Sequence, residues 1–331
     1  MTNIEVAEVL NSVNMYELAC KTNHEMVLTD TESMAVAELD KQFKKIGETG
    51  HDANHEISQF IRRTINEELV NAPDELLDAL FVRGSIGDND DFESIILPPK
   101  NTLVAYEAAK GGNVDRSFLD VSMLTPVWRN KQVETDISFA ELRRNGWKTI
   151  SLLTEYAVAA LKNAMFADIF DIIDQGISSG AGNYITESST MPTQASMDAM
   201  ALYLMEHADG GEKTIIGLTK YVQAASKLTG FVSDDIVNEV HRNGLLGMYD
   251  SCGLYAISSA KKFANGSMLI PDKRMFGIAG TIGELDMKGD VHVYQTEEVN
   301  KEKVEILIKD FTYGVALNAD TLEKVVKMVL A

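Results

Sequence analysis

The sequence has 331 residues, of which 45% are hydrophobic, 24% are charged and 6 are proline. This length exceeds the ~150 residues of a typical domain, so we expect two globular lobes, or one lobe with long appendages. The composition is that of an ordinary folded chain and excludes fibrous and disordered classes. Apolar stretches are a few residues long, far short of the ~20 needed to cross a bilayer, so we expect no membrane partner.

The formal net charge is −20, and residues 1–100 hold 20 Asp and Glu against 8 Lys and Arg. A nucleic-acid-binding surface must supply Lys and Arg to displace phosphate counterions, so this charge argues against nucleic-acid wrapping and disfavours non-specific DNA binding. We interpret the N-terminal acidic excess as a solubilising surface.

The N-terminal residues Met1 to Val6 lack the basic start and apolar run of a signal peptide. We therefore expect the protein to stay where it is made. Cys20 and Cys252 lie too far apart in sequence to suggest a metal pair or redox motif, which favours a reducing cytosol.

Residues 1–82 predict short amphipathic helices. Apolar residues recur at three-to-four spacing in three segments: Ile4–Leu10, Met34–Leu39 and Ile57–Ile61. Asp30-Thr-Glu-Ser predicts a cap before the second helix, and Asn71-Ala-Pro-Asp-Glu predicts the start of another. Gly84–Asp91 then breaks the helical pattern, so we place a boundary there.

No helical period persists between Asn101 and about Arg144. Within this region, apolar and polar residues alternate over Val133–Phe139, which predicts a strand. We interpret the region as a long polar β-ribbon. It has too little apolar surface for a core of its own and must lie on something else.

The strongest helix signal runs from about Lys148 to Ile177, a length of ~45 Å. Its apolar face is wide, so we expect contacts from more than one side; the predicted face comprises Leu152, Tyr156, Ala159, Phe166, Ile169, Ile173 and Ile177. Three acids lie near its C-terminal end: Asp168, Asp171 and Asp174. We expect them to be solvated, with a contact to a basic neighbour as the alternative.

An α plus β pattern follows Pro192. The predicted elements are a helix over Ala195–Glu206, a strand over Lys213–Leu218, helices over Thr219–Leu228 and Ser233–His241, and a strand over Gly253–Ile257. Val291–Gln295 and Val304–Ile308 are predicted to face each other as a hairpin. A strand over Tyr313–Leu317 and a closing helix are expected to end the chain. Asn318 would cap this helix, and Glu323 and Lys327 would pair across one turn.

Motifs that would indicate catalysis are weak. His51-Asp-Ala-Asn-His55 has the spacing of a zinc pair but lacks the usual Glu and a third ligand, so we interpret both as surface histidines. No histidine is placed beside Ser251-Cys252-Gly253, so Cys252 is expected to be buried and inert. The glycine clusters at 84–87 and 176–182 lack the Gly-Lys-Ser/Thr of a phosphate loop. We predict no catalytic residue, no cofactor-binding residue and no metal ligand, and hence no enzyme.

The order of parts resembles the major capsid proteins of tailed bacteriophages that share the Hong Kong 97 phage fold. The likeness covers roughly residues 76–331. Asn243–Ile270 is similar to a family passage in which a Gly-x-Leu-x-Gly turn precedes a strand, a small polar stretch, a glycine turn and another strand. Lys309–Asn318 is similar to the family's closing strand.

The resemblance implies an α+β fold with an N-terminal arm, an extended E-loop, a peripheral domain with a long spine helix, and an axial domain. The implied ranges are 1–75 for an acidic helical N-terminal extension, 76–100 for the arm, 101–146 for the E-loop, 147–190 and 291–312 for the peripheral domain, and 191–290 and 313–331 for the axial domain. The role of the extension is left open, with a scaffold-like or inward-facing arm as one interpretation.

The resemblance also implies a structural role as the major capsid subunit of an icosahedral phage head. Implied partners are further copies in pentamers and hexamers, together with scaffold, portal and decoration proteins. Double-stranded DNA would be enclosed without specific binding, repelled by an acidic inner face. The subunit would lie in the virion capsid after assembly in the bacterial host cytoplasm. The alternatives are the shell protein of an encapsulin-type nanocompartment and, more remotely, a zinc hydrolase using His51 and His55.

Overall fold

The computed structural model describes residues 13–49, 56–71, 75–87, 126–208, 211–228, 247–258, 268–298, 302–317 and 322–331. The chain forms two compact units. The first comprises Met1–Pro73, Arg129–Met165 and Met287–Tyr313, and the second comprises Asp74–Trp128, Phe166–Asp286 and Gly314–Ala331. Both units are built from separate stretches of sequence. The finer subdivision into arm, E-loop, peripheral domain and axial domain stays a prediction.

The first unit begins with helices α1 (Met15–Asn23), α2 (Asp30–Thr49) and α3 (Glu56–Asn66), the last continuing into a π-helical turn at Glu67–Asn71. The helices predicted around Met34–Leu39 and Ile57–Ile61 are confirmed, whereas Ile4–Leu10 lies outside the described residues. The helices bury one apolar face each, including Leu18, Ala19, Ala35, Leu39, Phe43, Ile46, Ile57, Ile61, Ile65 and Leu69.

The cap of α2 lies one residue before the predicted position. The Thr29 hydroxyl accepts a hydrogen bond from the Glu32 backbone N–H (3.3 Å), and the Glu32 carboxylate accepts one from the Thr29 backbone N–H (2.7 Å). This reciprocal pair is a capping box. Thr29, one residue before the segment predicted to supply the cap, is therefore the cap, and Asp30 is the first helical residue.

Helix α4 (Glu75–Leu80) follows, as the Asn71-Ala-Pro-Asp-Glu segment predicts, and leads directly into strand β1 (Phe81–Ile86). The helix ends at Leu80, and the predicted break at Gly84 lies within strand β1. The side chain of Asp286 leaves no space for a side chain at Gly84, because an added Cβ would lie 2.1 Å from the Asp286 Oδ1 atom.

Strand β2 (Val127–Ser138) confirms the predicted strand and begins six residues earlier than predicted. Val133 and Thr135 are half-buried and Ile137 is buried, while the alternating Glu134 and Asp136 are exposed. The prediction of no helix before Arg144 is wrong, because α5 (Phe139–Asn145) starts at Phe139. Its N-cap, Ser138, forms a capping box with Glu141, a local signal that ends the strand.

The predicted long helix is confirmed as α6 (Trp147–Gly176), a helix of 30 residues. Its buried residues recur with helical period and include Ile150, Thr154, Ala157, Val158, Leu161, Met165, Ile169 and Ile173. The placement of Tyr156 on the buried face is wrong, since its side chain is 67% exposed. It lies about half a turn from the buried Thr154 and Val158 because adjacent helical residues are 100° apart.

The second unit contains a six-stranded sheet with the order β3-β11-β7-β4-β6-β5. Its strands are β3 (Tyr184–Glu187), β4 (Lys213–Leu218), β5 (Met248–Tyr249), β6 (Cys252–Ile257), β7 (Arg274–Ala279) and β11 (Val325–Leu330). Strand β4 is parallel to β6, and β11 is parallel to β3, whereas β7 runs antiparallel to both β4 and β11. The predicted strands at 213–218 and 253–257 are confirmed, and β3 and β7 were not predicted.

Helices α7 (Gln194–His207) and α8 (Thr219–Ala225) confirm two further predictions, while the helix expected over Ser233–His241 lies outside the described residues. A capping box of Thr193 and Ser196 starts α7. The α7 side chains Met197, Met200, Ala201 and Leu204 are fully buried. Met200 and Leu204 lie over Gly277 of β7, where even a Cβ would be 2.9 Å from the Leu204 Cδ1 atom.

The predicted closing helix is wrong, because residues 325–330 form the strand β11. Val325, Val326 and Met328 are fully buried between β3 and β7. Lys327 pairs with Asp174 across 2.7 Å instead of with Glu323. Local spacing favoured a helix, but a β-branched segment with a sheet partner on either side is stabilised as a strand.

The other sheet has the order β1-β8-β10-β2, with β9 also paired to β10; the strands not yet named are β8 (Gly283–Lys288), β9 (His292–Glu298) and β10 (Lys303–Leu317). The predicted hairpin is confirmed: β9 and β10 are antiparallel from Lys303↔Glu298 to Lys309↔His292. The strand expected over Tyr313–Leu317 is the continuation of β10, so the two predicted strands are one.

Candidate functional site

The candidate site is the part of the first unit that surrounds the start of α6 and the β-ribbon of β2, β9 and β10. An aromatic cluster lies at its centre. The ring of Trp147 is 6.2 Å from that of Phe43 and stacked on it, and 5.4 Å from that of Phe60 at a right angle. Trp147 is 1% exposed. Aromatic rings contribute large buried areas, so residues far apart in sequence are held at one point.

Polar groups around this cluster are paired. The Trp147 indole N–H donates to the Thr22 hydroxyl (3.2 Å), which itself donates to the Leu18 carbonyl (2.8 Å). The Trp147 backbone N–H donates to the Asp40 carboxylate (3.3 Å). The preceding Gly146 has φ +48°, and a Cβ there would lie 2.3 Å from an Asp40 oxygen, so glycine is required where α5 turns into α6.

A second network continues along α6. The Asn23 amide donates to the Glu155 carboxylate (2.6 Å) and its carbonyl oxygen accepts from the Ser151 hydroxyl (2.7 Å). Two turns further, Lys162 forms an ion pair with Glu68 at 2.6 Å, with both side chains largely buried. Helices α1 and α3 are therefore fastened to the first half of α6 by groups that are mutually satisfied.

Helix α3 is also joined to the start of β9. The Asn66 side-chain carbonyl accepts from the Val291 backbone N–H (2.8 Å), and its amide donates to the Val291 carbonyl (3.2 Å). Arg62 pairs with Asp290 at 3.2 Å. The described part of residues 1–75, for which a scaffold-like or inward-facing arm was one interpretation, is thus packed within its own unit.

The β-ribbon is held mainly by backbone and polar contacts. Asn130 of β2 donates to the Thr312 hydroxyl of β10 (3.1 Å), and Lys303 of β10 forms an ion pair with Asp136 of β2. The Phe139 backbone N–H donates to the Glu302 carbonyl (3.0 Å). Between Val127 and Thr135 no β2 side chain is buried. This agrees with the expected shortage of apolar surface, although residues 101–125 of the predicted E-loop lie outside the described residues.

The second unit contains a buried carboxyl pair that the sequence analysis did not identify. Glu284 is 0% and Asp286 2% exposed, and both lie on the same face of β8. Burial and the adjacent Asp286 raise the pKa of Glu284 to about 7, and burial raises the pKa of Asp286. The available signal was the i,i+2 spacing of two acids in Gly283-Glu-Leu-Asp-Met, an unusual pattern for a strand buried on both faces.

The predicted inert cysteine agrees with the structure. Cys252 is fully buried, and burial raises the pKa of its thiol, so the reactive thiolate is disfavoured. His51 and His55 lie outside the described residues, and their interpretation stays a prediction. Within the described ranges, no group of three or more His, Cys, Asp or Glu side chains could hold a metal ion.

The acids near the C-terminal end of α6 differ in their environments. Asp171 is exposed, whereas Asp174 pairs with Lys327 at 2.7 Å and with Arg274 at 3.3 Å. For Asp174 the alternative of a basic neighbour is therefore the right one. In the part of the chain that the structure describes, no helix is both long and apolar enough to span a bilayer.

No protein-family model and no curated protein sequence matches this chain. Solved structures do. The chain is similar to one in "Capsid structure of the Cyanophage P-SCSP1u" (TM-score 0.56, 10% identity, 77% of this chain and 88% of that chain). Similar chains also come from Gordonia phage Cozz (TM-score 0.53, 12% identity, 76% of this chain and 84% of that chain) and Mycobacterium phage Bobi (TM-score 0.51, 12% identity, 80% of this chain and 94% of that chain).

At 10–12% identity these likenesses establish the fold. The chain has the α+β fold of tailed-phage major capsid proteins, which confirms the fold class that the sequence resemblance implied. What the fold does in this protein depends on its own residues.

Proposed function

We propose that the chain is the major capsid subunit of a tailed phage, which assembles into pentamers and hexamers of an icosahedral head enclosing double-stranded DNA. The observation that carries the proposal is the fold shared with a phage capsid chain over 77% of the sequence. The polar β-ribbon supports it, because β2 buries a side chain only near its C-terminal end. Strands of this kind are stabilised when another copy covers them.

The charge supports enclosure of DNA without specific binding. A net charge of −20 repels the phosphate backbone, so packaged DNA would remain free to move against the shell. Scaffold, portal and decoration proteins are the proposed partners, and the virion capsid, assembled in the bacterial host cytoplasm, is the proposed location. The proposed role requires no catalytic group.

Assembly would depend on many weak contacts. Closed rings form when each subunit makes the same head-to-tail contact with the next. A subunit held at several places presents its remaining surfaces to partners at high effective concentration, so modest affinities suffice for a stable shell.

The test is electron microscopy of the purified chain, alone and after co-expression with a candidate scaffold protein from the same genome. We expect closed shells with five- and six-fold rings. A second arm replaces residues 102–124 with a short Gly-Ser linker, which leaves β2 and its pairing with β10 in place. This variant is expected to give a folded subunit that unfolds cooperatively and forms no shells.

A compact monomer under all of these conditions would refute the shell function, and normal shells from the linker variant would refute the proposed E-loop. The contents of native particles separate the two kinds of shell. DNA supports the phage head, whereas an enzyme cargo supports an encapsulin-type compartment. Stoichiometric zinc that is lost in His51→Ala or His55→Ala would support the hydrolase instead.

A further inference from the structure

The Glu284 and Asp286 carboxyls in β8 have no role in the proposed shell contacts, yet they are among the most deeply buried polar groups in the described chain. Neither oxygen of Glu284 receives a hydrogen bond from a donor group. The polar group within reach is the Asp286 carboxyl. Because two carboxylates cannot donate to each other, a hydrogen bond between them requires that one carries a proton.

Asp286 also lies directly against β1, the strand next to β8 in the sheet. Its Oδ1 atom occupies the space where a side chain at Gly84 would begin, 2.1 Å from the position of an added Cβ. A charge change in the pair therefore acts at the surface where β1 meets β8. In this dry environment, two anions in contact repel each other far more strongly than they would in water.

We propose that Glu284 and Asp286 form a proton-operated latch, which holds β1 against β8 while the pair carries one proton and releases β1 when both carboxyls are ionised. The latch concerns the folded subunit and does not depend on the proposed shell function. One consequence does rest on that function: β1 leads into residues 88–125, to which the arm and E-loop contacts are assigned.

In the part of the chain that the structure describes, the charges around the pair leave it uncompensated. Arg83 of β1 pairs with Asp78 at 3.3 Å. The last residues of β10, 314–317, carry no charge, and Lys288 is the next residue on the same face of β8. For each acid, the causes that raise its pKa are burial and, for Glu284, the other acid; among the described residues, no basic group lowers either pKa.

The direction of the pH effect follows from the raised pKa. The stabilisation from the protonated pair is fully present below the ordinary glutamate pKa of 4.5 and is lost as the pH rises through about 7. With these two values, the equilibrium for opening β1 increases about tenfold between pH 6 and pH 8. The latch is therefore tuned to the neutral range.

The experiment is hydrogen exchange with mass spectrometry on the purified full chain at pH 6 and pH 8, corrected for the intrinsic pH dependence of exchange. We expect the protection of residues 81–86 to fall about tenfold at pH 8. In Glu284→Gln the amide donates to Asp286 at every pH, so protection should not change. Asp286→Asn is a second variant with the same expectation, should the first fail to fold.

Glu134→Gln is the matched control, because it removes the same charge at an exposed position of β2 and should keep the wild-type pH dependence. The proposal is overturned if wild-type protection of β1 is the same at both pH values. It is equally overturned if the folded Gln or Asn variant keeps the wild-type dependence. Shell formation does not enter the readout, so this result stands apart from the test of the proposed function.

Discussion

The indole nitrogen of Trp147 donates a hydrogen bond to the hydroxyl of Thr22, a residue 125 positions earlier in the chain, at a distance of 3.2 Å. This bond joins the first described helix to the start of the longest one. Because the indole is 1% exposed, no water can replace the acceptor if it is removed. Buried donors are costly to leave unpaired, which makes this contact a measurable part of the stability of the subunit.

We expect Thr22→Val to lower the free energy of unfolding by about 1–3 kcal/mol, because valine has the shape of threonine but leaves the indole N–H unpaired. Urea unfolding followed by tryptophan fluorescence measures the change. Thr31→Val is the control, since Thr31 is exposed and should change stability by less than about 0.5 kcal/mol. Equal effects of the two variants would contradict the role given to the Trp147–Thr22 bond.

The ion pair of Lys162 and Glu68 allows a double-variant test. Lys162→Met leaves the largely buried Glu68 without its partner and should cost about 1–3 kcal/mol, less than for a fully buried pair because both groups retain some solvent contact. The double variant Lys162→Met with Glu68→Leu should recover most of that loss, since no unpaired charge remains. Additive losses in urea unfolding would mean that the two side chains do not interact.

Removal of residues 1–71 should prevent the subunit from folding. The ten buried apolar side chains of α1, α2 and α3 would be lost, and Trp147 would be exposed. Gel filtration and ANS binding of the truncated protein should show an aggregated or expanded state. On the proposed function, the subunit in assembled particles should retain residues 1–71, which intact mass spectrometry can establish. A subunit that begins near residue 72 in stable particles would show instead that these helices are a removable scaffold.

Lys327 distinguishes the observed strand from the predicted helix. Its side chain is 7% exposed, and its ammonium contacts both the carboxylate of Asp174 (2.7 Å) and its backbone carbonyl (2.8 Å). Lys327→Met should therefore lower stability by about 2–4 kcal/mol, because Asp174 loses its main partner and a carbonyl near the C-terminal end of α6 is left unpaired. Lys227→Met, at an exposed position, is the control in thermal unfolding. A neutral Lys327 variant would favour a solvated position.

Gly84→Ala tests how closely β1 approaches Asp286. The added methyl group would collide with the Asp286 carboxylate, so we expect a loss of about 1–3 kcal/mol and a lower melting temperature. Gly182→Ala is the matched control, because no atom lies within 4 Å of a Cβ at that position. Calorimetry measures the melting temperature of both variants. An unchanged melting temperature in Gly84→Ala would mean that β1 and β8 are further apart.

Elements with strong local signals could be predicted from the sequence. The long helix α6 has no proline or glycine between Trp147 and Gln175, and its apolar residues recur throughout, so its bounds were right to one residue at each end. Strand β4 was predicted with its observed bounds of Lys213–Leu218, because a short apolar run is enclosed by polar and glycine-containing segments.

The remaining elements depend on contacts that local patterns do not contain. Glu323 and Lys327 have a helical charge spacing, yet the partners of residues 325–330 are strands β3 and β7 and an aspartate 153 positions from Lys327. The docking of Asn66 on Val291 likewise joins residues separated by 225 positions. The Glu284–Asp286 pair became apparent only when β8 proved to be buried on both faces, which its acids argue against.

The side-chain amide of Asn66 pairs backbone groups that would otherwise be open at a strand edge. By occupying both the N–H and the carbonyl of Val291, one side chain takes the place of a neighbouring strand at the beginning of β9. An unprotected strand edge is a template for uncontrolled stacking, the first step towards amyloid-like aggregates. On the proposed function, a subunit that must polymerise only in a closed geometry gains from this pairing, because it removes one open position at which a foreign strand could add.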